Sequence, residues 1–144
     1  MAVRERPALR DLRRRHRGPV IAGDDAGYDA ARATFNGMLD RRPELVARPL
    51  DTRDVVAAVE FAREADLPVS VRGGGHGVAG LCVGDGSLVV DLRLMRDVHV
   101  DAEAMTATCG GGALWQDLDP PCLRHGLVTP GGTFGDTGVA TAGR

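Results

Sequence analysis

One stretch of this sequence has the residue types and spacing to hold an anion. Val71-Arg72-Gly73-Gly74-Gly75-His76-Gly77-Val78-Ala79-Gly80 sets three consecutive glycines directly behind a short apolar run. Without a Cβ, such backbone reaches φ > 0 and lets several N–H groups point one way, a nest suited to phosphate. A merely flexible surface loop is the bland alternative, and the position straight behind a strand speaks against it. His76 is the one titratable side chain in the loop between Gly73 and Gly80. A lone histidine is as often a surface or satisfied core residue, so spacing alone gives it no role. Gly75 to Gly80 also fits G-x-G-x-x-G, but a dinucleotide fingerprint should open a helix with an acid about 20 residues on. Here Gly84 and Gly86 follow too soon for a helix, and Asp91 comes only 11 residues after Gly80.

A second turn offers the same backbone chemistry. Thr129-Pro130-Gly131-Gly132-Thr133-Phe134-Gly135-Asp136-Thr137-Gly138-Val139 adds free N–H groups and hydroxyls behind another apolar stretch. Two nests, each behind a strand, suit a diphosphate better than a single phosphate. The remaining histidines, His16, His99 and His125, have no metal-ligand spacing. Cys82, Cys109 and Cys122 form no C-x-x-C pair and are odd in number, which disfavours a zinc ribbon and a disulfide scaffold and makes a reducing cytoplasm the simplest compartment.

The elements that must position these loops are legible as a pattern. Residues 1–17 read as a short helix with Leu9 and Leu12 on one side, and residues 18–27 as a loop. Residues 28–36 read as a helix stopped by Gly37. Glu44–Arg48 predicts a strand. Asp51 or Thr52 caps a helix running to about Ala65, with Val55, Val59 and Ala62 on its apolar face. Val69–Arg72 predicts a second strand, giving a β–α–β unit with parallel strands. Ser87–Leu92 predicts another strand and opens a mixed or antiparallel sheet. Val98–Asp101 and Met105–Cys109 predict a hairpin. Ala113–Arg124 is helical in spacing (Leu114, Leu118, Leu123), with Pro120 and Pro121 expected to kink or shorten it. Gly126–Thr129 reads as a short strand. The fold class is α+β.

Composition removes several classes. The chain has 144 residues, 43% apolar and 26% charged, as expected of one globular domain or part of a larger one. There are 20 glycines, 16 of them from residue 73 onward, with no collagen-like period. Aromatic residues are 3% and the net charge is −2, so stacking platforms and a basic footprint for nucleic acid are missing. Residues 1–17 carry seven Arg against Glu5 and Asp11, read as a solvated helix or tail with no part in the site. No apolar run approaches the roughly 20 residues of a membrane span.

With these residues in view, the chain resembles FAD-linked oxidoreductases of the vanillyl-alcohol oxidase and p-cresol methylhydroxylase (PCMH) type, most of all the berberine bridge enzyme-like branch. The resemblance lies in ELVARPLDTRDVVAAVEFAREADLPVSVRGGGHGVAG, SLVVDL, TCGGGALWQDL and HGLVTPGGTFGDTGVA, in that order, from about Arg41 to Val139. It implies a PCMH-type FAD-binding fold: a small parallel β–α–β layer, then a mixed or antiparallel sheet, incomplete at the C-terminus. Residues 1–40 would be an N-terminal extension with short helices and 41–144 the FAD-binding domain. It further implies that Arg72, Gly73, Gly74, Gly75, His76, Gly77, Gly80, Gly131, Gly132, Thr133, Asp136, Thr137, Gly138 and Val139 contact FAD. In the family the residue matching His76 bonds to the flavin 8α carbon, and some members add a cysteine tether where this chain has Phe134, so one covalent bond is expected. The implied activity is oxidation of an alcohol or similar C–H donor, with dioxygen as acceptor and a small-molecule substrate bound elsewhere. The family pattern gives way at Thr141-Ala142-Gly143-Arg144, so a fragment, a frameshifted product or one part of a split protein is expected. Non-covalent FAD reductases of the same fold, a non-catalytic flavin-binding module and an inactive fragment are the alternatives.

Overall fold

A computed structural model describes residues 7–141. The basic residues Arg4 and Arg6, and the divergent end at 142–144, lie outside the described residues. The chain runs α1 (Pro7–Arg15), β1 (Val20–Ala22), α2 (Tyr28–Arg32), β2 (Leu45–Ala47), α3 (Thr52–Glu64), β3 (Val69–Arg72) and β4 (Leu88–Asp91). A 3₁₀ turn (Leu92–Leu94) leads to β5 (Val98–Asp101), β6 (Thr106–Cys109), α4 (Trp115–Leu123) and a last 3₁₀ turn (Val139–Thr141).

Two layers result. The first is a four-stranded sheet in the order β1-β2-β4-β3. The β–α–β unit is present: Asp51 caps α3 by accepting from the N–H groups of Arg53 (2.9 Å) and Asp54 (3.2 Å). β2 and β3 are parallel, but each pairs with β4, which lies between them. Ser87–Leu92 therefore joins the first sheet instead of opening the second. Its residues explain this: Leu88, Val89, Val90 and Asp91 are all buried, as a central parallel strand covered on both faces must be. Leu45, Ala47, Leu88 and Val90 pack on one face with Ala58, Phe61 and Ala62 of α3 and Leu12 of α1. Val46 and Val89 face the other way, towards Ala31 and Val83. On α3 the apolar face turns through Ala58, Phe61 and Ala62, and Val59 is on the exposed side.

Three expectations change in the N-terminal part. Residues 20–22, expected as loop, form β1, antiparallel to β2 with Val20 opposite Ala47 and Ala22 opposite Leu45. The helix expected over 28–36 ends at Arg32. The basic stretch is not a solvated tail where described: Leu12 is fully buried, and the Arg17 N–H donates to buried Asp54 at 3.0 Å. The sheet and core thus begin well before residue 41.

The second layer is the expected β5–β6 hairpin with α4 across it. Trp115, Leu118 and Cys122 pack against Val98 and Val100. α4 passes through Pro120 and Pro121 to Leu123, and Leu123 itself is exposed. No strand follows. Gly126 (φ +69°) is the left-handed residue of a helix-ending motif in which the Leu127 N–H donates to Cys122 O (3.1 Å) and the Gly126 N–H to Leu123 O (3.0 Å). Leu127 then packs back on the α4 cluster, and that use of the apolar residues displaces the expected strand.

Candidate functional site

The parallel strands β2, β3 and β4 all end at the same edge, where ligands of open α/β sheets bind. The glycine loop leaves β3 here. Gly75 is left-handed (φ +78°), as a nest requires. The N–H groups of Gly74, Gly75, His76 and Gly77 donate to no described residue. The two glycine turns, far apart in sequence, meet: a Cβ on Gly74 would lie 2.6 Å from the Gly138 nitrogen and 2.8 Å from its Cα. No residue larger than glycine fits there without driving the turns apart.

The edge is electropositive. Asp91 is fully buried and accepts from Arg48 Nε (3.1 Å), Arg93 Nε (2.8 Å) and Arg93 Nη2 (2.7 Å). Burial alone would raise its pKa; the hydrogen bonds and charge of Arg93, with Arg72 beyond, outweigh it and hold the carboxyl below its usual range. Arg72 is also buried, and burial, with Arg93 nearby, pushes its guanidinium below the usual value. Two guanidinium groups thus bond one carboxylate, and the charge of a third, Arg72, also acts on it. Arg72 donates through Nη1 to Ala31 O (2.9 Å) and through Nη2 to Ala33 O (2.6 Å), which fixes the end of α2. Its Nε is buried without a partner, 3.0 Å from where a Gly75 Cβ would be.

His76 is half-buried, and its imidazole stands against the Phe35 ring with centroids 4.8 Å apart and planes tilted by 36°. Gly80 is left-handed (φ +67°), a conformation that favours glycine, and a Cβ there would also press on the end of Leu39. Gly131 and Gly132 lie flat on the Trp115 indole, and a Cβ on Gly132 would come 2.6 Å from Trp115 Nε1. Gly135 O and Thr137 O accept from the N–H groups of Gln116 (2.8 Å) and Trp115 (3.1 Å), so the turn caps α4. The Val139 N–H donates to Ala113 O (2.9 Å), and Thr137 Oγ1 to Phe134 O (2.8 Å). Thr133, Phe134 and Asp136 are exposed. The second turn is therefore shaped by Trp115, and its site-facing element is Gly138. Among the described residues no group of three His, Cys, Asp or Glu could hold a metal. None of the described helices is long and apolar enough to cross a membrane.

A run of backbone N–H groups without described partners, beside a cluster of arginines, fits a diphosphate-bearing cofactor. Residues 43–143 match the family described as FAD binding domain, and the chain belongs to that family. Within it the chain is of the PCMH-type, berberine bridge enzyme-like kind, with the α+β fold of those FAD-linked oxidoreductases. It is 40% identical over 111 residues to (R)-6-hydroxynicotine oxidase of Paenarthrobacter nicotinovorans, covering 77% of this chain and 24% of that protein. The solved xylooligosaccharide oxidase of Myceliophthora thermophila is 29% identical, with a TM-score of 0.80 over 92% of this chain and 28% of its own. Berberine bridge enzyme-like 1 of Physcomitrella patens is 26% identical, with a TM-score of 0.84 over 94% and 30%. The chain thus spans about a quarter of the length of the curated relatives it matches.

Proposed function

We propose that this chain is the cofactor-holding part of a flavin-dependent oxidase, with the FAD diphosphate on the N–H groups of Gly73–Gly77 and His76 joined covalently to the flavin. When bound, FAD supplies a two-electron acceptor. The chain's own contributions are the Gly74–Gly138 cradle, the positive strand ends and the imidazole of His76. Arg72 acts through the loop: its two carbonyl bonds anchor it, and its spare Nε–H faces the Gly75 backbone. Phe134 has no nucleophilic atom for a second bond, so one tether is proposed. The completed protein oxidises an alcohol or similar C–H donor, with dioxygen as acceptor. Its compartment is the cytoplasm, in keeping with free Cys82, Cys109 and Cys122.

The observation that carries this reading is the closure of Gly74 on Gly138, which brings the two sequence-distant turns to one place. The test is the Gly74→Val variant. It should lose bound flavin while keeping its far-ultraviolet circular dichroism, since the substitution lies outside the core. Normal flavin content in that variant would remove the diphosphate assignment. For the tether, mass spectrometry of a tryptic digest of the flavin-loaded protein should find the adduct on the His76 peptide alone.

A further inference from the structure

The segment behind α2 lies across the glycine loop and is held there at three points. Arg72 bonds the carbonyls of Ala31 and Ala33, Leu39 fills the space that a Gly80 Cβ would need, and the Phe35 ring covers the imidazole of His76. A turn sets the spacing of these contacts: the Leu39 N–H donates to Asn36 O (3.0 Å) and the Met38 N–H to Asn36 Oδ1 (3.1 Å). Phe35 remains 76% exposed, so burial in the core does not explain where its ring sits. What it covers is the one reactive side chain of the loop. Ala31, Ala33, Phe35 and Leu39 all lie before residue 43, outside the matched FAD-binding region.

We propose that Phe35 is a positioning residue for His76, holding the plane of the imidazole for bond formation with the flavin; this rests on the tether reading above. The torsion that turns an imidazole about Cβ–Cγ is broad and nearly two-fold, so an uncovered ring samples many orientations. A nitrogen lone pair lies in the ring plane. A phenyl ring 4.8 Å from the imidazole centroid and tilted from it by 36° therefore restricts rotation while leaving a ring nitrogen free to react. Restricting the ring raises the fraction of time that the nitrogen points correctly, the orientational part of catalysis by proximity. In the net reaction an imidazole N–H and a hydrogen of the flavin 8α methyl are exchanged for one C–N bond, and both protons and both electrons pass to dioxygen as hydrogen peroxide.

Two readouts test the proposal. In the chain without flavin, the His76 ring protons should be shifted upfield in proton NMR by the Phe35 ring current. Phe35→Ala should abolish that shift and Phe35→Tyr restore it. In the flavin-loaded protein, the rate of adduct formation on the His76 peptide should fall roughly threefold to tenfold in Phe35→Ala. Total bound FAD should be unchanged, and Phe35→Tyr should recover the rate. Because Phe35 is exposed, the alanine variant keeps the core. Adduct formation at equal rates in wild type and Phe35→Ala, or no ring-current shift, overturns the role of Phe35 and leaves the tether standing. A wild-type protein that holds FAD without ever forming the His76 adduct overturns the tether reading and this proposal with it.

Discussion

Asp91 exposes no surface, yet its carboxyl is held below the usual range because Arg93 forks onto it and Arg48 adds a third bond. A folded-state pKa below the unfolded value of about 3.9 means that the unfolded chain binds the proton more readily. The stabilisation is therefore present above that unfolded value and is lost as pH falls through the folded one. Asp91→Asn should cost about 1–3 kcal/mol, since it takes the carboxylate from two part-exposed guanidinium groups that bond it. Urea midpoints measured from pH 6 down to pH 3 should fall less steeply for the variant than for the wild type. An unchanged acid slope would shift the linkage to Asp54, whose depressed pKa survives desolvation through bonds from Arg17 and Leu50. At this scale the sequence displayed the first glycine loop well, because its glycines adjoin a strand and serve the backbone directly. It did not display why Gly131 and Gly132 are glycines, because their constraint is the ring of Trp115, on another element. Phe35 was illegible for the same reason: its partner, His76, is 41 residues away.

Elements were legible where a local period governs them and obscure where pairing does. α3 announced itself through Asp51 and its spacing, and the β5–β6 hairpin through its turn. Val20-Ile21-Ala22 carries no alternation long enough to signal a strand; it is one because β2 offers an open edge. The insertion of β4 between β2 and β3 is likewise a choice of topology, hinted at only by its uninterrupted apolar run. α1 shows the practical consequence. It packs against α3, and Leu12 sits at 0% exposure among Leu88, Val90 and the α3 alanines. Leu12→Ala should destabilise the fold by about 2–5 kcal/mol, read from denaturant unfolding. Removing residues 1–17, harmless if they were a tail, should instead lower flavin content by unfolding the sheet layer. A deletion variant as stable as the intact chain would contradict the packing.

At the scale of the whole molecule the site lies on a seam. The sheet layer has its core between α3, α1 and the four strands; the hairpin layer has its own around Trp115, Leu118 and Cys122. The backbones of Gly74 and Gly138 meet where the layers come together at the strand ends. A ligand lying in that cradle touches both layers and can bind only when they are assembled, so it must stabilise the fold as a whole. Linkage puts the gain near 2.7 kcal/mol at a free concentration of about a hundred times Kd. For a chain of this size each kcal/mol moves Tm by roughly 2–4 °C, so saturating FAD should raise it by roughly 5–10 °C. The loop recognises phosphate, so riboflavin, which has the same ring and no diphosphate, should shift Tm much less. Gly74→Val should erase the FAD shift and, because it drives the Gly74 and Gly138 turns apart, should also lower the unliganded Tm. Differential scanning fluorimetry with the two ligands and the two proteins measures all four values. Equal shifts from FAD and riboflavin would place the affinity in the ring and take the diphosphate role away from the glycine loop.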